Sequence, residues 1–353
     1  MKIKVFGPHL TKSRGGMSTA LKGFVEGVGA KQELEYVATQ IDNERSYQSW
    51  RSAIRLLLAS PKQDVQQTVG WFHMGPWLSM VRKWSLACIA KAKGAHCIAH
   101  FHSPTQDRYL STFLGRLFTK FILLPFDQVV VLTPWWKERF SIVTGSRSVH
   151  VVSNPLEQHM IDTAIQYMEH PRTAWQGGKL RLLSMARLVE GKGVELVIKG
   201  LACLPDDVEL TIAGDGPMKP ELEKLAEALG VQNRVTFVGW VDTEQKSQLL
   251  KEADIFCLPS EYDSFGMVFI EAMAYSLPVI AFGWGPITDV VTPETGVALD
   301  SNLDEQSFAQ AVCHIKGNYA SYMGKGPQRV MEHFTTEKVV AQFDVVLERI
   351  DQK

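Results

Sequence analysis

The segment Ser184-Met-Ala-Arg-Leu-Val-Glu-Gly-Lys-Gly193 sets two cations, Arg187 and Lys192, between an apolar run and the next amphipathic stretch. If that run is a strand, both cations and the N–H groups of the following helix face one point beyond the strand ends, where open α/β sheets bind ligands. Two fixed cations with unpaired backbone N–H groups suit a diphosphate; surface solvation is the alternative. A second grouping, Leu258-Pro-Ser-Glu-Tyr-Asp-Ser-Phe-Gly-Met-Val-Phe-Ile-Glu271, places Asp263 in a loop and Glu271 within a helix beginning near Gly266. Gly266, Met267 and Val268, following Phe265, then offer first-turn amides to a phosphate between the two carboxylates. One carboxylate can bond sugar hydroxyls and the other ribose hydroxyls. As an ordinary helix charge Glu271 would be out of place, because Val268–Ala274 is otherwise almost wholly apolar and burying a lone carboxylate is costly. Near the start, Gly15 and Gly16 lie at a strand-to-helix turn, suited to an anion or simply to a tight turn. Neither Walker A nor GxGxxG is present there. Ala213-Gly-Asp-Gly-Pro217 also follows a strand, but Lys219-Pro220 stands where a third glycine belongs, which argues against a nicotinamide site.

These groups need strands that end where the chemistry begins. Short Val-, Ile- and Leu-rich runs alternate with longer amphipathic stretches, the pattern of a parallel sheet covered by helices. In the first half Ile3–Gly7, Ile98–His102 and Gln128–Leu132 read as strands, and a helix begins near Ser18. The second half alternates more cleanly. Strands are expected at Arg181–Met185, Val208–Ala213, Val235–Val238, Ile255–Leu258 and Val279–Ala281, and helices at Val194–Cys203, Pro220–Leu229, Thr243–Glu252 and Val268–Ala274. Each half therefore reads as a doubly wound α/β domain. The join is expected near Val152-Ser-Asn-Pro155, where Asn-Pro forces a turn before the polar segment Glu157–Lys179. Thr336–Ile350 carries Val339, Val340, Phe343, Val346, Leu347 and Ile350 at helical spacing, enough for one buried face. The expected organisation is a first domain at 1–155, a second at 156–335, and a helix within 336–353 that could pack on either.

A chain of 353 residues exceeds one ordinary core, and 45% apolar with 21% charged residues excludes wholesale disorder. No apolar run approaches the roughly 18 residues that span a bilayer, and the start lacks a signal peptide's apolar region, so a cytoplasmic location is expected. Five scattered cysteines (Cys88, Cys97, Cys203, Cys257, Cys313) without a CxxC pair argue against a disulfide scaffold or zinc cage. The net charge of −1 hides a division. Residues 1–155 hold 20 Lys/Arg against 9 Asp/Glu, or +11, and residues 156–353 hold 17 against 29, or −12. Between Arg45 and Lys137 there are 12 cations and 3 acids, interleaved with Trp71, Phe72, Trp77, Trp84, Phe113, Phe118 and Phe121. Rings beside cations suit an anionic membrane surface, and no nucleic-acid motif accompanies them. The alternative is that the rings are core and the cations solvate the surface.

Taken in order, Arg187…Lys192, Gly214-Asp-Gly-Pro217, Pro259-Ser260 and Asp263-Ser-Phe-Gly…Glu271 resemble the family 4 retaining glycosyltransferases of GT-B fold. The likeness is dense over 180–300 and looser at Gly15-Gly16, His102 and Asn154-Pro155; Gly285-Pro-Ile-Thr-Asp-Val-Val291 is similar to the family's Gly-Gly-x-Pro-Glu-Val-Val segment. The resemblance implies two Rossmann-like doubly wound domains facing a cleft, the acceptor on the first, the sugar nucleotide mainly on the second, and a C-terminal helix crossing back. Carried over by position, Arg187 and Lys192 clamp the diphosphate, helped by Gly16 and the Gly266–Val268 amides. Glu271 binds ribose, Asp263 the donor sugar, Val238-Gly239-Trp240 the base, and His102 stands beside the donor sugar. Without the resemblance His102 would read as a core histidine. Three departures bear on the donor sugar rather than the reaction: Asp263 where the family usually has Glu, Trp284 beside the expected glycine pair, and Asp289 in place of Glu.

The resemblance implies a retaining hexosyltransferase that uses a nucleotide diphosphate sugar, UDP-sugar before GDP-sugar. Its acceptor would be a lipid-linked or other glycan in bacterial surface polysaccharide assembly, lipopolysaccharide included, at the inner face of the cytoplasmic membrane. No cofactor or metal ion is expected, since cations and helix N-termini can stabilise the leaving diphosphate. The one acidic pair resembling a metal clamp, Asp206-Asp207, follows Pro205 in a connecting loop. A GT-B sugar-nucleotide epimerase and a non-catalytic nucleotide-sugar sensor are the alternatives.

Overall fold

The structure, a computed structural model, describes residues 2–11, 16–41, 46–145, 147–173, 175–300 and 304–351. The chain divides into two units, one of residues 1–158 with 333–353 and one of 159–332. In the first, β1 (Lys2–Pro8), β2 (Glu33–Gln40), β3 (Thr68–Met74), β4 (His96–Phe101), β5 (Gln128–Val131) and β6 (Val149–Val151) form a sheet in the order β2-β1-β3-β4-β5-β6. Every pairing is parallel. β3 is buried along its whole length, as a strand covered on both faces must be. β4 ends at Phe101, so His102 lies on the loop after the strand rather than inside it.

The helix Thr336–Asp351 completes this unit. All six apolar residues of its stripe are at most 4% exposed, and the Phe343 ring stacks on Trp71 of β3 with centroids 3.9 Å apart. Gly27 is what lets this helix approach the helix Gly16–Gly29: a Cβ there would overlap Thr336 and Val340. Gln342 accepts a hydrogen bond from the Ser153 N–H (2.9 Å), and Asp344 pairs with Lys31 (2.9 Å).

The second unit's sheet comprises β7 (Leu180–Met185), β8 (Val208–Ala213), β9 (Val235–Gly239), β10 (Ile255–Leu258), β11 (Val279–Phe282) and β12 (Gly296–Leu299). Its order, β12-β11-β10-β7-β8-β9, is all parallel. Numbered within the unit this is 6-5-4-1-2-3, the doubly wound order whose strand direction of progress reverses between β7 and β10. The segment after Pro155, expected as polar connection, instead forms the helix Gln158–Glu169, which buries Met160, Ile161 and Ala164. No helix among the described residues is long and apolar enough to cross a membrane.

Candidate functional site

The reversal point between β7 and β10 is where a doubly wound sheet opens a crevice for a ligand, and the loops leaving those two strands carry most of the expected residues. The loop after β7 is held by the glycine turn after β8. Gly214 (φ 139°) lies so close to the Ala186 carbonyl that any side chain would overlap it, and the Asp215 carbonyl accepts from Leu188 N–H (3.0 Å). The turn that looked like half a dinucleotide fingerprint therefore braces the backbone around Arg187. The Arg187 side chain is exposed and makes no hydrogen bond or ion pair with a described residue.

The loop after β7 is also laced to the loop after β10. Gly193, at φ 74°, begins the helix Val194–Ala202, and a side chain on it would overlap the Pro259 carbonyl. The Glu261 N–H donates to the Gly191 carbonyl at 3.0 Å. Lys192 Nζ donates to both Asp263 oxygens, at 3.0 and 3.1 Å, and to the Tyr262 carbonyl at 3.3 Å. Both side chains are about one-fifth exposed, 19% for Lys192 and 21% for Asp263. Two residues expected to touch different parts of one ligand are thus brought together as an ion pair.

Two helices start beside this pair without a side-chain cap: Val194–Ala202 at Gly193, and Met267–Ala274 at Gly266 (φ 77°). The N–H groups of Val194 and Glu195, and those of Gly266, Met267 and Val268, donate to no described residue. Such orphan amides at the positive end of a helix favour an anion. Phe265 is 1% exposed and anchors the start of the second helix in the core.

Glu271 lies in the second turn of that helix with its side chain 6% exposed. The expected cost of burying it is met by Lys246, whose Nζ donates to Glu271 Oε1 at 2.9 Å. Lys246 sits on the helix Thr243–Glu252, which Asp242 and Gln245 start with a reciprocal capping box. Sequence reasoning missed this lysine. The available signal was the demand itself: a buried carboxylate needs a cation, and Thr243–Glu252 is the polar helix following the Gly239-Trp240 turn. At that turn Gly239, at the end of the edge strand β9, accepts from Gly214 N–H (2.7 Å), and Trp240 is 53% exposed.

In the first unit His102 belongs to a buried ring cluster with His73 of β3 and His100 of β4. His102 Nε2 shares a hydrogen bond with His73 Nδ1 at 2.8 Å, and the His100 and His102 centroids are 4.2 Å apart. Burial, with the nearby Lys83 ammonium, pushes His102 down to about 3, and burial holds His73 and His100 well below the usual histidine range. His102 is therefore a neutral hydrogen-bonding group at neutral pH, not a titrating base. Lys83, 1% exposed and donating to Ser79 Oγ at 2.6 Å, is itself lowered to about 7 by burial and then by Arg82. Gly16 begins the helix Gly16–Gly29 at the carboxyl end of β1, while Gly15 lies outside the described residues.

Among the described residues these three histidines are the one group with metal-ligand atoms gathered, within 4.8 Å of one another. As arranged they do not present three free nitrogens to one ion, because His73 Nδ1 and His102 Nε2 share a hydrogen bond, and the Lys83 amine nearby would repel a dication when protonated. The acidic pair Asp206-Asp207 serves elsewhere: Asp207 pairs with Lys316 (3.3 Å), and the Asp207 carbonyl accepts from Leu180 N–H at the opposite end of β7. A cavity of about 160 Å3 lined by Arg181, Thr211, Arg234 and Glu252 contains none of the expected site residues.

Residues 168–322 match the model of the family Glycosyl transferases group 1. The match covers most of the second unit and all of the β7 and β10 loops. Among curated relatives, the lipopolysaccharide core biosynthesis glycosyltransferase LpsE of Rhizobium meliloti is 32% identical over 190 residues, 54% of this chain and 54% of that protein. The chain thus spans about half the length of the curated relatives it matches. Likeness to solved structures runs over the whole chain. Sucrose-phosphate synthase from Thermosynechococcus elongatus superimposes with a TM-score of 0.77 at 20% identity, covering 99% of both chains. HepE from Anabaena, in complex with UDP and glucose, gives 0.73 at 16% identity, covering 99% of this chain and 100% of that one. The fold is GT-B. The group 1 match lies within that fold.

Proposed function

We propose that this protein is a retaining, metal-independent glycosyltransferase that moves a sugar from a nucleotide diphosphate sugar to a lipid-linked glycan acceptor in bacterial surface polysaccharide assembly. UDP-sugar is the favoured donor and GDP-sugar the second. One observation carries the reading: at the strand-order reversal of a group 1 segment, two uncapped helix starts and the unpaired Arg187 flank the Lys192–Asp263 pair. That is a site for a diphosphate with hydroxyl-bearing groups on either side.

As the bond from sugar C1 to the diphosphate oxygen breaks, its electron pair passes to the diphosphate. Arg187, Lys192 and the amides of 193–195 and 266–268 meet that charge, an electrostatic strategy that supplies what a metal ion otherwise would. Asp263 bonds the donor sugar and keeps Lys192 aimed. Glu271, fixed by Lys246, takes the ribose hydroxyls, and Gly239-Trp240 the base. His102, neutral and tied to His73, is a hydrogen-bonding group rather than a proton acceptor. LpsE acts in lipopolysaccharide core biosynthesis and HepE was solved with UDP, which supports the same pathway class and donor base here.

A thermal-shift panel of nucleotide sugars, followed by product analysis with the stabilising donor and lipid-linked acceptors, tests the reading. A ligand at 100 times its dissociation constant should stabilise by roughly 2.7 kcal/mol. Sugar on the acceptor is the expected product. Altered free nucleotide sugar would make the protein an epimerase, and a bound but unchanged donor would make it a sensor.

A further inference from the structure

The aromatic residues interleaved with the cations of the first unit divide into two sets. Trp71 and Phe72 are core, whereas Phe113 is 80% exposed and Phe121 49% exposed. On the helix Phe113–Ile122 the exposed apolar residues are Phe113, Leu114, Leu117 and Phe121, and Leu124 continues the line just past its end. At about 100° per residue these positions fall within one arc of roughly 100°, while Gly115, Thr119 and Ile122 face the protein. The helix is thus amphipathic twice over, with an apolar face turned to solvent.

The helix Trp77–Ala92 adds a second stripe. Trp77, Leu78 and Val81 are 54%, 56% and 37% exposed, and Trp84 one turn on meets the Phe121 ring with centroids 4.9 Å apart. The two stripes therefore join through that ring contact. Exposed cations lie on the same or adjoining helices: Lys120 on the first, Arg108 on the preceding helix Gln106–Ser111, and Arg51 and Arg55 on the helix Ser46–Ala59, which meets the second through the Trp50–Ser85 hydrogen bond. These four side chains are exposed and make no ion pair with a described carboxylate. Contiguous exposed apolar patches rimmed by polar residues mark interaction sites.

We propose that the joined faces of Trp77–Ala92 and Phe113–Leu124 are the seat on which this protein lies on an anionic lipid bilayer, the apolar stripe entering the acyl boundary and the cations meeting headgroup phosphates. Charge complementarity favours lipid: exposed cations without a described ion-pair partner accompany an apolar stripe in a half whose sequence carries +11. The inference deepens the proposed lipid-linked acceptor and rests on it for its purpose alone. Charge is not the whole of the attachment, because eight exposed apolar side chains on the two faces must be sheltered.

The test is co-sedimentation of the full chain with phosphatidylcholine vesicles, with and without phosphatidylglycerol, at low and high salt, without donor or acceptor. Wild type should bind the anionic vesicles and keep part of that binding at high salt. Leu114→Glu with Leu117→Glu, both at exposed positions, should lower the partition coefficient by at least about tenfold at either salt, the order expected for losing one buried large apolar side chain. Lys120→Glu with Arg108→Glu should weaken binding mainly at low salt. Wild-type binding by the leucine variant, or no binding of wild type to anionic vesicles at low salt, overturns the proposal. So does a wild-type dimer that the leucine variant turns into a monomer, since the face would then belong to a second copy. Sugar transfer to a soluble acceptor, measured in parallel, keeps failure here distinct from failure of the glycosyltransferase reading.

Discussion

Replacing Lys246 with Met removes the one described cation on a carboxylate that is 6% exposed, and does so without opening a large void. Breaking a buried ion pair from one side costs about 3–5 kcal/mol, because the remaining charge loses its partner without regaining water. Lys246 itself is 21% exposed, so some solvent reaches the pair and the lower end, about 3 kcal/mol, applies. For a unit the size of residues 159–332, that corresponds to a fall of roughly 6–12 °C in its melting temperature. Calorimetry of the full chain should show the loss in one transition, with the other in place, since two units need not unfold together. Lys246→Met combined with Glu271→Gln should recover much of the loss, because the uncompensated charge is gone. A single-variant loss under about 1 kcal/mol, or a double variant no better than the single, would refute the claim that Lys246 makes the buried Glu271 tenable. The same variants read on function: both should weaken donor binding more than turnover, because ribose contacts persist through the reaction.

Arg187→Ala should lower turnover by about 10²-fold or more with little change in melting temperature, as the side chain is exposed and unpaired; wild-type kcat would remove it from the diphosphate site. Asp263→Asn should reduce kcat and leave nucleotide binding nearly intact, and Asp263→Glu should lower activity or change donor preference. Unchanged activity and preference in the glutamate variant would make the two acids interchangeable here. Acid stability provides a fourth test. With His102 at about 3 and His73 and His100 also depressed, the unfolded chain binds more protons than the folded one below about pH 6.5, so the first unit should lose stability as pH falls from there toward 3. Lys83, at about 7 when folded, makes stability rise between pH 7 and its ordinary value near 10.5, a slope that Lys83→Met should abolish in pH-dependent denaturant unfolding.

The second unit was the more legible half because its strands are short continuous apolar runs ended by glycine or proline, and helix periodicity resumes between them. Five of its six strands are foreseen within a residue or two, and the site loops with them. β2 was missed because Glu33-Leu-Glu-Tyr-Val-Ala-Thr-Gln40 is a half-exposed edge strand, and β3 because Gly70 and His73 interrupt its apolar run. What the sequence did not disclose is pairing across the fold. Lys192 with Asp263, 71 residues apart, Glu271 with Lys246 on a neighbouring helix, and the meeting of His73 with His102 all depend on strand order. Residue types announced the chemistry, whereas partners were decided by which strands lie side by side.

The stacking of Phe343 on Trp71 has a consequence for how the molecule comes into being. Synthesis delivers all six strands of the first sheet before any part of the second unit, yet the helix that closes the first core is made only after residue 332. Until then Trp71, a fully buried side chain in the finished fold, has no lid from Phe343, and Gly27 has no helix to receive. The half made first is thus the half finished last. A nascent chain stalled between the units carries an open apolar trench along the helix Gly16–Gly29, which marks it for chaperones or aggregation for as long as the second unit takes to emerge.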